Sequence, residues 1–211
     1  REGLIFAVVA AGLEKGKVLC FLRYVWQEQS WRKLETINAN QFLKTNYPQY
    51  LFFSEEKSAH LHAVDIPDIH VHHQPKSCLQ DILVKKNPDA IEQDLMQLCQ
   101  ILLAQGVALH KIGITGSLLI GAQNAASDID LVVYDRHEFH KIRKIVEQLI
   151  AADALQQLDG QAWTDSYQRR QCDLSYADYV WHEQRKYNKA LINHRKFDLN
   201  LVALQAEEIV A

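Results

Sequence analysis

No excess of positive charge runs through this sequence: 23 Lys and Arg stand against 26 Asp and Glu, a formal net charge of −3. Bulk electrostatics therefore do not favour a long nucleic acid as partner, and only a local basic patch could grip one. Cysteine is sparse. Cys20, Cys78, Cys99 and Cys172 lie far apart and match no CxxC or zinc spacing, which speaks against a disulfide scaffold and for reduced, mostly buried thiols. No apolar run approaches the ~20 residues a membrane helix needs, and the N-terminus lacks a signal-peptide layout. With the thiols, this predicts a cytoplasmic location and no membrane partner. Repeats and low-complexity stretches are missing too, which removes solenoid architectures. What is present is ordinary globular composition, 48% hydrophobic and 23% charged over 211 residues, enough for one large domain or two small ones. The chain opens at Arg1 rather than Met and stops in Glu207-Glu208-Ile209-Val210-Ala211, as a trimmed piece of a longer protein would.

Hydrophobic periodicity predicts two regions, 1–85 and 86–211. In the first, Leu4 to Ala10 and Lys17 to Trp26 read as a β-hairpin joined by Ala11 to Gly16. Ala39 to Thr45 reads as a short helix with Asn38 as cap, and His60 to Val64 and Ile69 to His72 read as strands among Pro48, Pro67 and Pro75. This is a small α+β domain of unassigned role. A boundary is expected near Lys85 to Asn87. Asn87-Pro88 then looks like an N-cap followed by proline at the first helical position, with Ile91, Leu95, Leu98 and Leu102 on one helical face. Further on, His137 to Ala152 reads as a second amphipathic helix with Phe139, Ile142, Ile145, Val146 and Leu149 inward.

Between these helices lies the most informative stretch. Lys111 to Thr115 reads as a short buried strand, Gly116-Ser117 as a turn, Leu118 to Ala122 as the first turns of a helix ended by Asn124 to Ser127, and Asp128 to Tyr134 as a central strand. Gly116 has no Cβ to keep a phosphate from the backbone, and a helix start offers unpaired N–H groups. Residues i and i+2 of a strand share a face, so Asp128 and Asp130 point the same way. Two adjacent carboxylates repel unless a cation joins them, and hard oxygen ligands suit Mg²⁺ on a nucleotide's phosphates.

The arrangement of strand, Gly116-Ser117, short helix and Asp128-Ile129-Asp130-Leu131 resembles the signature of the DNA polymerase beta nucleotidyltransferase superfamily, over roughly Ile112 to Tyr134. The resemblance implies an α/β domain with a mixed sheet flanked by helices. It also implies two Mg²⁺ ions (or Mn²⁺) ~3.5–4 Å apart, and transfer of a nucleoside monophosphate from a nucleoside triphosphate to a hydroxyl acceptor with release of pyrophosphate. A third carboxylate from a later strand is implied as well, and the sequence offers two. In Lys196 to Val202 strict alternation sets Asp198, Asn200 and Val202 on one face and Phe197, Leu199 and Leu201 on the other, so Asp198 fits best. Asp173 is nearer in sequence, but Tyr176, Tyr179 and Val180 suggest a helix that it starts or caps.

Between these acids runs the polar stretch His182 to Lys189, with Arg195 and Lys196 after it. Arg185, Lys186 and Arg195 are candidates to neutralise triphosphate charge; a solvated helix face is the bland alternative. Glu183-x-Arg185-Lys186-x-Asn188, the following basic-Phe-Asp strand and the opening Arg1 to Val9 also resemble a group of mostly archaeal nucleotidyltransferase-like proteins, a likeness that brings no substrate with it. The acceptor expected is thus open: a small molecule, a protein or an RNA end. A silent nucleotide-binding, regulatory or antitoxin-like module and an RNA-modifying transferase are the competing classes. His60 with His62, and His70 with His72 and His73, have zinc- or copper-type alternation but no companion ligand set. Trp26 and Trp31 read as hydrophobic-face residues rather than a base-stacking platform.

Overall fold

The computed structural model describes residues 3–202; Arg1 and Glu2 of the expected opening, and the closing Glu207 to Ala211, lie outside the described residues. The chain is mixed α and β and divides into two compact units, Arg1–His72 and His73–Ala211. None of the described helices is long and apolar enough to cross a membrane.

The first unit is one antiparallel sheet with a helix against it. The hairpin forms as expected from β1 (Leu4–Val8) and β2 (Lys17–Gln27). Two strands of four residues, β3 (Ser30–Lys33) and β4 (Leu51–Ser54), were too short to show a period. β5 (Ala59–Asp65) covers the expected His60 to Val64. Helix α1 (Thr36–Asn46) begins earlier than expected, with Glu35 rather than Asn38 at the cap position. The expected strand at Ile69 to His72 is absent: the segment follows a 3₁₀ turn at Ile66–Asp68, and Val71 is 67% exposed. Prolines 67 and 75 bracket it and no strand pairs with it.

β2 shares one edge between two partners, β5 along Lys17 to Cys20 and β3 along Tyr24 to Gln27. The amide of Leu22 falls in the gap, and a buried N–H needs an acceptor. His62 supplies it: its Nδ1 accepts from Leu22 N at 2.7 Å, and its Nε2 donates to Asn40 Oδ1 at 2.7 Å. Burial pushes the His62 pKa below the ordinary 6.5, and an imidazolium could no longer accept from Leu22. As pH falls below 6.5 the unfolded chain takes up a proton that the folded one resists, so stability is lost on the acid side. The expected result is a melting temperature that drops between about pH 7.5 and about pH 5 in wild type, with a shallower drop in His62→Gln, read by circular dichroism.

The second unit carries the larger core. Helix α2 (Pro75–Leu83) sends Leu79 and Ile82 into it. The boundary therefore sits at 72/73 rather than at 85/86, because this proline-started helix packs on the sheet that follows. Its contact is close: a Cβ on Gly113 would meet Pro75 Cβ at 2.7 Å. Helix α3 (Ala90–Ala104) is capped by Asp89, not Asn87; Asp89 accepts from Ile91 N and Glu92 N while Glu92 reaches back to the Asp89 amide. That capping box satisfies more orphan donors than Asn87 could from two residues further out. β6 (Ile112–Thr115), α4 (Gly116–Leu119), β7 (Ile129–Val133) and α5 (Arg136–Ala151) follow as the periodicity implied, except that α4 stops at one turn and β7 begins at Ile129, leaving Asp128 in the loop before it rather than in the strand. Gly121 has φ +66° just after it, a left-handed residue that ends the turn. Then come α6 (Gly160–Arg170), α7 (Tyr176–Gln184), β8 (Lys189–Ile192) and β9 (Arg195–Leu201).

The sheet order is β6-β7-β9-β8, with β7 and β9 parallel and the outer pairs antiparallel. Ile112, Ile114, Ile129, Leu131, Val133, Phe197, Leu199, Ala190 and Ile192 enter the core with Leu95, Leu98 and Leu102 of α3 and Ile142, Ile145 and Val146 of α5. The alternate residues form the other face, where the polar groups stand.

Candidate functional site

Strand register draws the polar residues into a row. Thr115 pairs with Asp130, Asp130 with Asp198, and Asp198 with Lys189, one residue from each of the four strands. Paired residues share a face, so these side chains stand side by side across the sheet. Asp128 arrives from the loop just before β7, and Lys196 lies two residues before Asp198 on β9. One carboxylate oxygen from each of Asp128, Asp130 and Asp198 lies within 4.8 Å of the other two, close enough to hold a metal ion together.

Three carboxylates this close repel one another. Lys196 offsets part of that: its Nζ is 2.6 Å from Asp198 Oδ2 and 3.2 Å from Asp128 Oδ2. Burial opposes the charged ammonium, yet Asp198 and then Asp128 outweigh it and hold the Lys196 pKa above the ordinary 10.5. Asp198 Oδ1, by contrast, is buried with no hydrogen-bond partner. A buried carboxylate oxygen without a donor is destabilising. Three convergent carboxylates with one such oxygen suit a hard divalent cation in donor type and charge.

Gly116 adjoins the acids for a reason the sequence did not show. Its φ is +66°, and a Cβ there would collide with Asp130 Oδ2. Glycine is thus required by the protein's own carboxylate, whatever else approaches the turn. Ser117 lies within the single turn of α4, and its carbonyl accepts from Ile120 N and Ala122 N.

The basic candidates are placed less directly. Arg195 Nε binds Asp94 Oδ2 of α3 at 2.6 Å, and its Nη1 binds the carbonyls of Ala125 and Ser127 at 3.1 and 2.8 Å. It ties the loop that delivers Asp128 to α3. Arg185 is exposed, its guanidinium 3.3 Å from the Trp181 ring centre and bonded to Trp181 O and His182 Nδ1. Lys186 and Lys189 both pair with Glu183. Burial works to raise the Glu183 carboxyl, and the two ammonium groups more than compensate, holding it below its ordinary value. Asp173 sits exposed in the loop between α6 and α7, and Ser175, not Asp173, caps α7. The row residue Lys189 and the bridging Lys196 were not singled out from sequence, although the alternation that marked Asp198 also puts Lys196 on its face.

A second acidic group, Asp135, His137 and Glu138, could also hold a metal by proximity. Its carboxylates already have structural partners: Asp135 caps α5 through Glu138 N and pairs with Lys111 at 3.0 Å, and Glu138 accepts from Ala108 N. Among the described residues none of the alternating histidines joins a group of three metal-type ligands. Trp26 and Trp31 form a cross-strand edge-to-face pair on β2 and β3.

Because Arg195 holds two carbonyls of the Asp128 loop, Arg195→Ala is expected to destabilise the second unit by about 2 kcal/mol and to speed amide exchange at Ser127 and Asp128. Arg195→Lys should recover only part, since a single ammonium cannot reach three acceptors in a fixed fork. Urea unfolding and hydrogen exchange read the two effects.

No family model and no solved structure matches the chain. The chain is 32% identical to an uncharacterised protein of Methanocaldococcus jannaschii, an alignment that takes in 94% of this chain and 64% of that protein. It thus spans under two thirds of that relative's length.

Proposed function

We propose that the second unit is a metal-dependent nucleotidyltransferase that moves a nucleoside monophosphate from a nucleoside triphosphate to a hydroxyl acceptor. The carrying observation is the convergence of Asp128, Asp130 and Asp198 beside Gly116, with a buried, unpartnered oxygen on Asp198. These carboxylates would hold Mg²⁺ or Mn²⁺, which when bound supplies charge neutralisation for the triphosphate and a more acidic acceptor hydroxyl. The chain's own part is positional. The β7–β9 register keeps Asp130 and Asp198 at one height, the Arg195 tether fixes Asp128, and the Gly116-Ser117 turn offers backbone to the phosphates. The acceptor oxygen bonds to the α-phosphorus, the bond from that phosphorus to the bridging oxygen breaks, and pyrophosphate leaves. The hydroxyl proton passes to solvent.

Retention of all three carboxylates, within reach of one another, supports turnover over a silent nucleotide-binding module. The test is incubation with labelled nucleoside triphosphates and Mg²⁺ or Mn²⁺, with small-molecule, RNA and self-modification acceptors. Label transfer with stoichiometric pyrophosphate is the expected result. Nucleotide binding without release under any of these conditions would favour the silent module.

A further inference from the structure

Among the cations between Arg185 and Lys196, Lys196 is paired with two of the candidate metal ligands, Asp128 and Asp198. Arg195 is committed to Asp94 and two carbonyls, Lys186 and Lys189 to Glu183, and Arg185 to the Trp181 ring. Lys196 bridges Asp128 and Asp198, the two acids on either side of the β7–β9 boundary, and its side chain is only 15% exposed. The residue opposite it on β8 is Leu191, so no other acid competes for it from that strand.

We propose that Lys196 is the resident cation of this site and a phosphate-binding residue of the same reaction: it holds Asp128 and Asp198 in the nucleotide-free protein, yields them to metal that arrives with a triphosphate, and then contacts the phosphates. The proposal rests on the nucleotidyltransferase reading. A lysine suits this exchange because its ammonium is a point charge on a flexible four-carbon stem, able to shift by a few ångströms without moving the strand. The arrangement makes free metal a poor ligand and metal–triphosphate a good one, since only the latter brings negative charge to receive the displaced ammonium.

The signature is a pair of effects of opposite sign. Lys196→Met should bind free Mn²⁺ about tenfold more tightly than wild type, because a cation 2.6 and 3.2 Å from oxygens of two candidate ligands has gone. The same variant should bind a non-hydrolysable ATP analogue with Mn²⁺ about tenfold more weakly, because a phosphate contact has gone. Lys196→Arg, which keeps the charge, should leave free Mn²⁺ binding close to wild type. Paramagnetic resonance of unbound Mn²⁺ and calorimetry of the analogue give the readouts, with circular dichroism melts on each variant and Asp130→Asn as the reference for site-specific binding. Mn²⁺ binding that depends on Asp130 but does not tighten in Lys196→Met overturns the resident-cation role and leaves the metal site standing. Tighter Mn²⁺ with unchanged analogue affinity overturns the phosphate contact. No Asp130-dependent Mn²⁺ binding in any variant removes the metal reading and the proposal with it.

Discussion

Asp130→Asn is expected to lower nucleotidyl transfer by at least about a thousandfold, since a charged ligand at a metal centre accounts for several kcal/mol of transition-state stabilisation. The choice of Asp130 over its neighbours follows from the site. Asp128 and Asp198 share Lys196, so neutralising either also removes one of the ammonium's two charged partners. Asp130 sits in the middle of the row, paired on one side with Thr115 and on the other with Asp198. Its replacement by the isosteric amide keeps the shape that packs against Gly116, and a circular dichroism melt checks that the variant folds. Pyrophosphate release by the variant at the wild-type rate with saturating Mg²⁺ would mean that Asp130 is not a metal ligand.

Gly116→Val is the second large effect. A branched side chain there must leave a φ of +66°, at a cost of about 1–3 kcal/mol, and must push the Asp130 carboxylate aside. Nucleotide and Mn²⁺ affinity should fall together, by about tenfold or more each, because one substitution disturbs both the turn and a proposed metal ligand. Ser117→Ala removes only a hydroxyl and should leave both within about twofold. Calorimetry of a non-hydrolysable analogue with Mn²⁺, beside circular dichroism, reads this. If Gly116→Val stays folded and binds both as tightly as wild type, the turn is a structural corner between β6 and α4 and nothing more.

The parts of this molecule that were legible in the sequence are those where one force dominates. The β6–α4–β7 stretch could be read because buried strands leave an apolar run, with Asp128 just ahead of β7 and Asp130 within it. Helices α3 and α5 could be read because their inward residues repeat over four turns. The cap of α3 was not legible: Asp89 and Glu92 form it, two residues on from the expected Asn87. β3, β4 and β8 have four residues each and were not legible, whereas β6, equally short, was marked by the Gly116-Ser117 turn that follows it. The turn between β8 and β9 uses Asn193 and His194 at positive φ without the glycine that usually marks such a hairpin. Helix α2 hid behind Pro75, which punctuates a loop as readily as it begins a helix.

For the site, alternation along Lys196 to Val202 favoured Asp198 over Asp173, and it is Asp198 that stands beside Asp128 and Asp130. Which cation would serve the acids was not accessible, because Arg185, Lys186, Arg195 and Lys196 look alike in a polar stretch. Only tertiary packing turns Arg195 toward a loop and Lys196 toward the carboxylates. Gly116 was noticed for the space it leaves to a ligand, whereas the nearest group claiming that space belongs to Asp130.

The most direct test of the central claim is anomalous diffraction at the manganese edge from crystals grown with Mn²⁺ and a non-hydrolysable nucleoside triphosphate. The expected result is anomalous density bridging Asp128, Asp130 and Asp198, with the triphosphate against Gly116-Ser117 and the Lys196 ammonium moved off Asp128 onto a phosphate oxygen. A triphosphate bound elsewhere, or Mn²⁺ absent from these carboxylates at saturating concentration, would contradict the assignment.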